Sequence, residues 1–191
     1  MTRTYDMTKR SRQEAQTTAN ILSATEQLLT VQALENINLK TIAHRAGTTV
    51  QTVLRHMGSR DGCLQAVARK VSERVEQQRG KSGPGDIDNS IKDLTKHYET
   101  DGKLILNLLK QEHSGDGFIS LSIQKGRSYH RAWVKRCFAP YLSGPDKETV
   151  DALVAATDIY VWKLLRMDLG RSRNAVQKVI TKMVKRILEV S

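Results

Sequence analysis

The chain has 191 residues and carries 31 Lys and Arg against 20 Asp and Glu, a formal net charge of +11 that points to a polyanionic partner, nucleic acid ahead of an anionic membrane surface. A hydrophobic share of 39% argues against disorder, while three prolines and few aromatics argue against a fold of short strands and turns. No apolar run approaches the roughly 18 residues of a membrane span, so the expectation is an all-α, cytoplasmic protein with no membrane partner, in one large or two small domains.

Residues 1–10, with Arg3, Lys9 and Arg10 against Asp6, have no apolar period and are expected to form a mobile basic arm. Ser11 and Glu14 have the spacing of a capping box. The helix they open runs to about Leu34, with Ile21, Leu22, Ala24, Thr25, Leu28 and Leu29 on one stripe. Leu39, Ile42, Ala43 and Ala46 then recur at helical spacing. Gly47 stops that helix, because glycine takes the left-handed conformation that closes one, and Thr48 and Thr49 offer oxygens to cap the next. The second short helix spans Val50 to about Met57. Only Val53, and in part Val50 and Met57, need to face inward there, which leaves Gln51, Thr52, Leu54, Arg55 and His56 to point outward. Such a polar helix suits the major groove, where Gln reads adenine, Arg reads guanine, and Thr and apolar groups meet the thymine methyl. Residues 11–58 therefore read as a helix-turn-helix DNA-binding domain, with Lys40, Thr49, Val50, Gln51, Thr52, Leu54, Arg55, His56 and Arg60 as contact candidates.

Ser59 can cap a connector helix over residues 59–79, whose apolar positions are Leu64, Val67, Val71 and Val75. The run Gly80 to Gly85 breaks it and is the expected domain boundary. Gly80-Lys81-Ser82 is no phosphate-binding loop, since the required upstream glycine is Val75 and a helix precedes it. Residues 86–191 are expected to form a second helical domain. One helix carries Ile87, Ile91 and Leu94 toward Tyr98, a second carries Leu104, Ile105, Leu108 and Leu109, and a third, kinked at Gly126, carries Ile119, Ile123, Trp133, Val134, Cys137 and Phe138. A final pair follows, the first helix lined by Val150, Leu153, Val154, Thr157, Val161, Leu164 and Leu165 and the second by Val176, Val179, Ile180, Met183, Val184, Ile187 and Leu188.

The run IAHRAGTTVQTVLRHMGSRDGCL, beginning at Ile42, resembles the signature of the TetR (tetracycline-repressor-like) family of bacterial transcription regulators, IA-x-x-AG-V-S-x-G-x-L-Y-x-HF-x-x-K-x-x-L. The Ile-Ala-x-x-Ala-Gly run, a Thr for the capping Ser, Val53, His56 and Leu64 match. Thr48, Gln51, Leu54, Met57 and Arg60 depart, and Leu54 lacks the tyrosine hydroxyl that in the family commonly reaches a phosphate. Lys40 and Arg60 sit where the family places phosphate contacts. The resemblance covers the first third of the chain and beyond it is one of layout. It implies a homodimer on a double-stranded, near-palindromic operator, released by a small-molecule effector. It also implies that the final helix pair forms a four-helix interface, here through Val154, Val161, Leu165, Val176, Ile180, Met183 and Ile187.

Tyr98, Trp133, Tyr160, Trp162 and Met167 are the candidates for effector-pocket walls, being aromatic or pliant with polar handles. Cys63 and Cys137 read as free thiols, Cys63 as a small buried hydrophobe. His97 and His130 read as surface residues, and the five histidines have no metal-ligand spacing. With no nucleophile motif, neither catalysis nor a cofactor is expected. A helical ligand-binding or protein-interaction module that kept the fold with weak or no DNA binding is the alternative.

Overall fold

The computed structural model describes residues 3–144 and 146–190, with side chains from Lys9 onward. Every regular element among them is helical: α1 Arg3–Val31, α2 Leu39–Arg45, α3 Val50–Met57, α4 Arg60–Arg79, α5 Ile87–Leu109, α6 Gly117–Phe138, α7 Lys147–Ala156, α8 Ile159–Lys163 and α9 Arg173–Ile187. Short 3₁₀ turns occupy Leu34–Asn36 and Ala139–Tyr141, and a π turn Leu164–Asp168 follows α8. No described helix is long and apolar enough to cross a membrane. The chain divides into two compact units within α4, Met1–Val71 and Ser72–Ser191.

In the first unit, α1 begins eight residues before Ser11, so that serine lies inside the helix and caps nothing. Of the expected arm at residues 1–10, Met1 and Thr2 fall outside the described residues and the rest is helical. The stretch has no Gly or Pro, and each residue added to an existing helix gains a hydrogen bond without a new nucleation cost. The core is Ile21, Ala24, Leu28 and Leu29 of α1, Leu34 and Ile37 from the following turn, Ile42 and Ala43 of α2, Val53 of α3, and Cys63, Leu64 and Val67 of α4.

In the second unit, the expected break near residue 100 is absent and α5 is continuous. Gly102 explains this: a Cβ there would lie 2.7 Å from the Trp162 ring, so a residue of low helix propensity is kept because an indole packs onto its bare backbone. The expected single helix over 150–165 is instead two. The α7 helix ends at Thr157, whose freed carbonyl accepts from the Tyr98 hydroxyl at 3.0 Å, and Asp158 caps α8 by accepting from the Tyr160 amide at 2.8 Å. Helix α6 runs unbroken through Gly126. The segment 80–85 belongs to this unit. The Ser82 hydroxyl donates to Asp93 at 2.6 Å, the Gly85 amide donates to the Cys137 carbonyl at 2.8 Å, and Tyr141 donates to the Gly85 carbonyl at 2.9 Å. Ile91, Leu94, Val134, Phe138, Leu153, Val176, Ile180 and Val184 form the centre of its core.

Two glycines separate packing from propensity. Gly102→Ala should destabilise the protein by about 1–3 kcal/mol through overpacking against Trp162. Gly126→Ala, on an exposed helical surface with nothing within 4 Å, should stabilise it by roughly 0.5–1 kcal/mol. Urea midpoints of the two variants check both signs.

Candidate nucleic-acid interface

Helices α2 and α3 meet at a corner that the sequence closes at both ends. Asn38 accepts from the Lys40 and Thr41 amides at 3.0 Å each, while Thr41 accepts from the Asn38 amide at 2.9 Å, a reciprocal box that secures orphan donors of the first turn. Gly47 sits at φ +64, and the Thr48 amide donates to the Ala43 carbonyl at 3.0 Å. Thr49 caps α3 by accepting from the Thr52 amide at 3.2 Å, and Gly58 at φ +76 ends the helix. Of α3's eight residues only Val53 is fully buried.

Gln51 and Arg55 are exposed on α3, with no side-chain hydrogen bond among the described residues, and Lys40 is exposed on α2. Thr52 is half-buried, and its hydroxyl shares a 2.9 Å hydrogen bond with Thr49. Val50 and Leu54 are half-buried as well. His56 does not reach outward as expected. Its Nδ1 is 2.9 Å from the Thr18 hydroxyl of α1, and its Nε2 is enclosed without a partner. The ring braces α3 against α1.

Arg60 is also turned inward. Its Nε donates to the Ile37 carbonyl at 2.6 Å and Nη2 to the Leu34 carbonyl at 2.8 Å, with Asp61 at 3.4 Å from Nη1. These carbonyls belong to the turn between α1 and α2, whose own helical acceptors end there, so the guanidinium staples the turn on which α2 starts. Sequence reasoning placed Arg60 correctly at a helix start, but a staple to carbonyls 23 and 26 residues upstream leaves no local pattern.

The residues expected to line an effector pocket are not gathered around one space. Tyr98, Trp133 and Trp162 are buried in the core of the second unit, the indoles donating to the Arg79 carbonyl at 3.2 Å and to Glu99 at 3.1 Å. Tyr160 and Met167 are about half exposed on the exterior. Clefts of about 630 Å³, lined by Asp88, Lys178, Lys182, Lys185 and Arg186 among others, and about 390 Å³, beside Glu112, His113 and Arg127, lie elsewhere on the unit. The expected interface residues also divide. Val176 and Ile180 are wholly buried in this unit's own core and so cannot form an exterior face. Val154, Val161, Leu165 and Ile187 are half-buried against that core, and Met183 is exposed beside Val179.

Sequence reasoning missed a polar network inside this unit. His97 and His130, expected on the surface, are buried. Asp101 takes Arg74 as an ion-pair partner and lies 3.2 Å from His97 Nδ1. Burial opposes its charge, but the hydrogen bonds from His97 and Arg74 outweigh that and hold the carboxyl below its ordinary range. Burial pushes His97 down, against the pull of Asp101. The Thr157 hydroxyl lies 2.6 Å from the Leu153 carbonyl and donates to it, so its oxygen accepts from His130 Nε2 at 3.1 Å. That assigns the proton to Nε2 and leaves Nδ1 to accept from Arg79 Nη2 at 2.8 Å. Burial, with Arg79 adding repulsion, pushes His130 down to about 3.

No family model and no curated protein matches the chain. Solved structures do match in fold. Among them the multidrug binding protein EbrR, solved in complex with imidazole, aligns over 86% of this chain and 88% of its own, with a TM-score of 0.55 and 16% identity. The fold is thus the all-α helix-turn-helix arrangement that the TetR resemblance implies.

Two expected outcomes follow from this chemistry. Arg60→Ala should lower the stability of the first unit by about 1–3 kcal/mol, since two buried carbonyls lose a charged donor. An unchanged melting curve would return Arg60 to the exterior. Acid should weaken the second unit, because between an unfolded histidine pKa of about 6.5 and the folded value the unfolded chain alone takes up the proton. For His130 the stability present above about pH 6.5 is lost progressively toward about pH 3, by roughly 3–5 kcal/mol. Urea midpoints between pH 7 and 4 should fall for the wild type and fall less steeply for His130→Gln; equal slopes would contradict the assignment.

Proposed function

We propose that the protein is a dimeric, one-component transcription regulator, in the repressor mode, that reads a near-palindromic operator with α3 and is released when a small molecule binds the second unit. The observation that carries the reading is α3 itself. Eight residues capped at both ends contribute one fully buried side chain and leave Gln51 and Arg55 unpaired and exposed, an arrangement suited to the major groove and of little use to a core. Lys40 and the +11 charge support phosphate contact, and Thr49, Val50, Thr52 and Leu54 border the same face. His56 and Arg60 act in this reading as braces that orient α3.

One short helix gives little specificity, so the reading requires two copies. The exposed apolar side chains Tyr160, Leu164 and Met167 after α7, with Val179 and Met183 on α9, are the candidates for the surface that would meet the second copy. An effector then acts by population shift, favouring a dimer whose two α3 helices no longer match successive grooves. The second reading, a helical ligand-binding or interaction module without DNA binding, draws on the inward turn of His56 and Arg60 and on the absence of a hydroxyl at Leu54, which together remove three expected phosphate donors.

Binding to the duplex that flanks the protein's own gene separates the two. Gln51→Ala should cost about 1–3 kcal/mol there and little on random DNA, and Met183→Asp should give a helical monomer with greatly weakened binding. Equal losses on both duplexes remove Gln51 as a base reader; a Met183→Asp dimer removes the face.

A further inference from the structure

Arg79, the last residue of α4, is the most anomalous charge in the chain. It is only 3% exposed. Its Nε–H has no acceptor, and among the described residues no carboxylate pairs with it. Other arginines of the unit have carboxylate partners: Arg74 with Asp101, Arg127 with Glu112, Arg131 with Asp151. The one side-chain acceptor that Arg79 has is His130 Nδ1, a neutral imidazole held in its tautomer by Thr157. Arg136 brings a second positive charge nearby, donating to the Arg79 backbone carbonyl at 2.8 Å. The guanidinium carbon lies 4.2 Å from the Trp133 ring centroid and 5.4 Å from that of Tyr129. These aromatic faces offset part of the desolvation, but they accept no N–H in the guanidinium plane. Burial accordingly pushes Arg79 below its usual range.

A desolvated cation with an idle donor is costly, and a well-packed apolar residue of similar volume is often neutral or better. Keeping the charge there makes physical sense when a counter-anion arrives from outside. We infer that Arg79 anchors a binding site for a small organic carboxylate with an apolar body, the class of effector for the regulator proposed above. One carboxylate matches the single idle N–H, since Arg136 already donates to the Ser82 and Arg79 carbonyls. On the planar edge that carries Nε, Nη2 already donates to His130 Nδ1, so the idle Nε–H is the donor that a carboxylate oxygen would accept from, and Trp133 and Tyr129 offer flat apolar surface to the rest of the molecule. A phosphate ester is a poorer fit, because its further oxygens would find no donors among those rings. Binding opens the packed interior around Arg79, as in a site dominant only when its ligand is present. Only the effector role rests on the regulator reading; the binding does not.

Thermal melting of the full-length protein tests this with sodium benzoate and sodium octanoate as probes, against sodium chloride at equal ionic strength, benzyl alcohol and benzylammonium. The expected result is a saturable rise of several degrees with the carboxylates alone. Arg79→Met, which also takes the donor from His130 Nδ1, should fold, melt somewhat lower and lose the response; Arg79→Lys, which keeps the charge without the planar edge, should respond at higher concentrations only. A wild type indifferent to both carboxylates, an Arg79→Met variant that still responds, or one that melts far below wild type while Arg79→Lys melts normally without a carboxylate response would each overturn the inference. If the carboxylates bind through Arg79 but leave DNA binding unchanged, the site stands and the effector role fails. If the protein binds its operator but no carboxylate shifts its melting, the site fails and the regulator reading stands.

Discussion

Helices of seven and eight residues do not hold their shape in water, because nucleation is costly and too few hydrogen bonds repay it. Everything that α2 and α3 can do therefore depends on what packs and caps them. Val53 and Ile42 are removed from water completely, Asn38, Thr41 and Thr49 occupy orphan amides, and Thr18 and Arg60 tether the corner from α1 and α4. The outward side chains of α3 are then positioned at no cost to themselves. That division, in which scaffold residues face inward and Gln51 and Arg55 stay exposed, is the basis of the proposal that α3 reads DNA.

The second unit is built differently. Its core is continuous and apolar, yet it encloses His97, Asp101, His130 and Arg79, groups whose charged forms are expensive in a low dielectric. The network resolves most of this by tautomer and pairing: Asp101 is neutralised by Arg74, His97 serves as a neutral donor, and His130 bridges Thr157 and Arg79 without charge. Within this network, the Nε–H of Arg79 is left without an acceptor among the described residues. The carboxylate inferred above would supply its acceptor.

Local signals in the sequence located the corner well. Gly47, Thr49, Val53 and the span of α4 are fixed by neighbours within a few residues, and short-range chemistry is what a sequence displays. Failures arose where distant residues decide. The stretch between Tyr98 and Leu104 looks like a junction of two helices until Trp162, sixty positions from Gly102, packs on that glycine; Thr157 looks like helix interior until Tyr98 takes its carbonyl. Ile180 and Val176 read as one wide apolar stripe with Met183, but a stripe does not say which part its own unit covers. His97 and His130 looked like surface residues because burial of a polar side chain is set by partners such as Asp101 and Thr157, which have no fixed spacing from them.

The central claim is that α3 reads DNA as one of a symmetric pair. Selection of bound duplexes from a random library by the full-length protein tests it most directly. The account predicts a two-fold-symmetric consensus whose half-site centres lie about one helical turn apart, or a whole multiple of it, lost when Gln51 and Arg55 are both replaced by Ala. Enrichment of an asymmetric sequence, of no sequence at all, or of the same consensus by the double variant would contradict it.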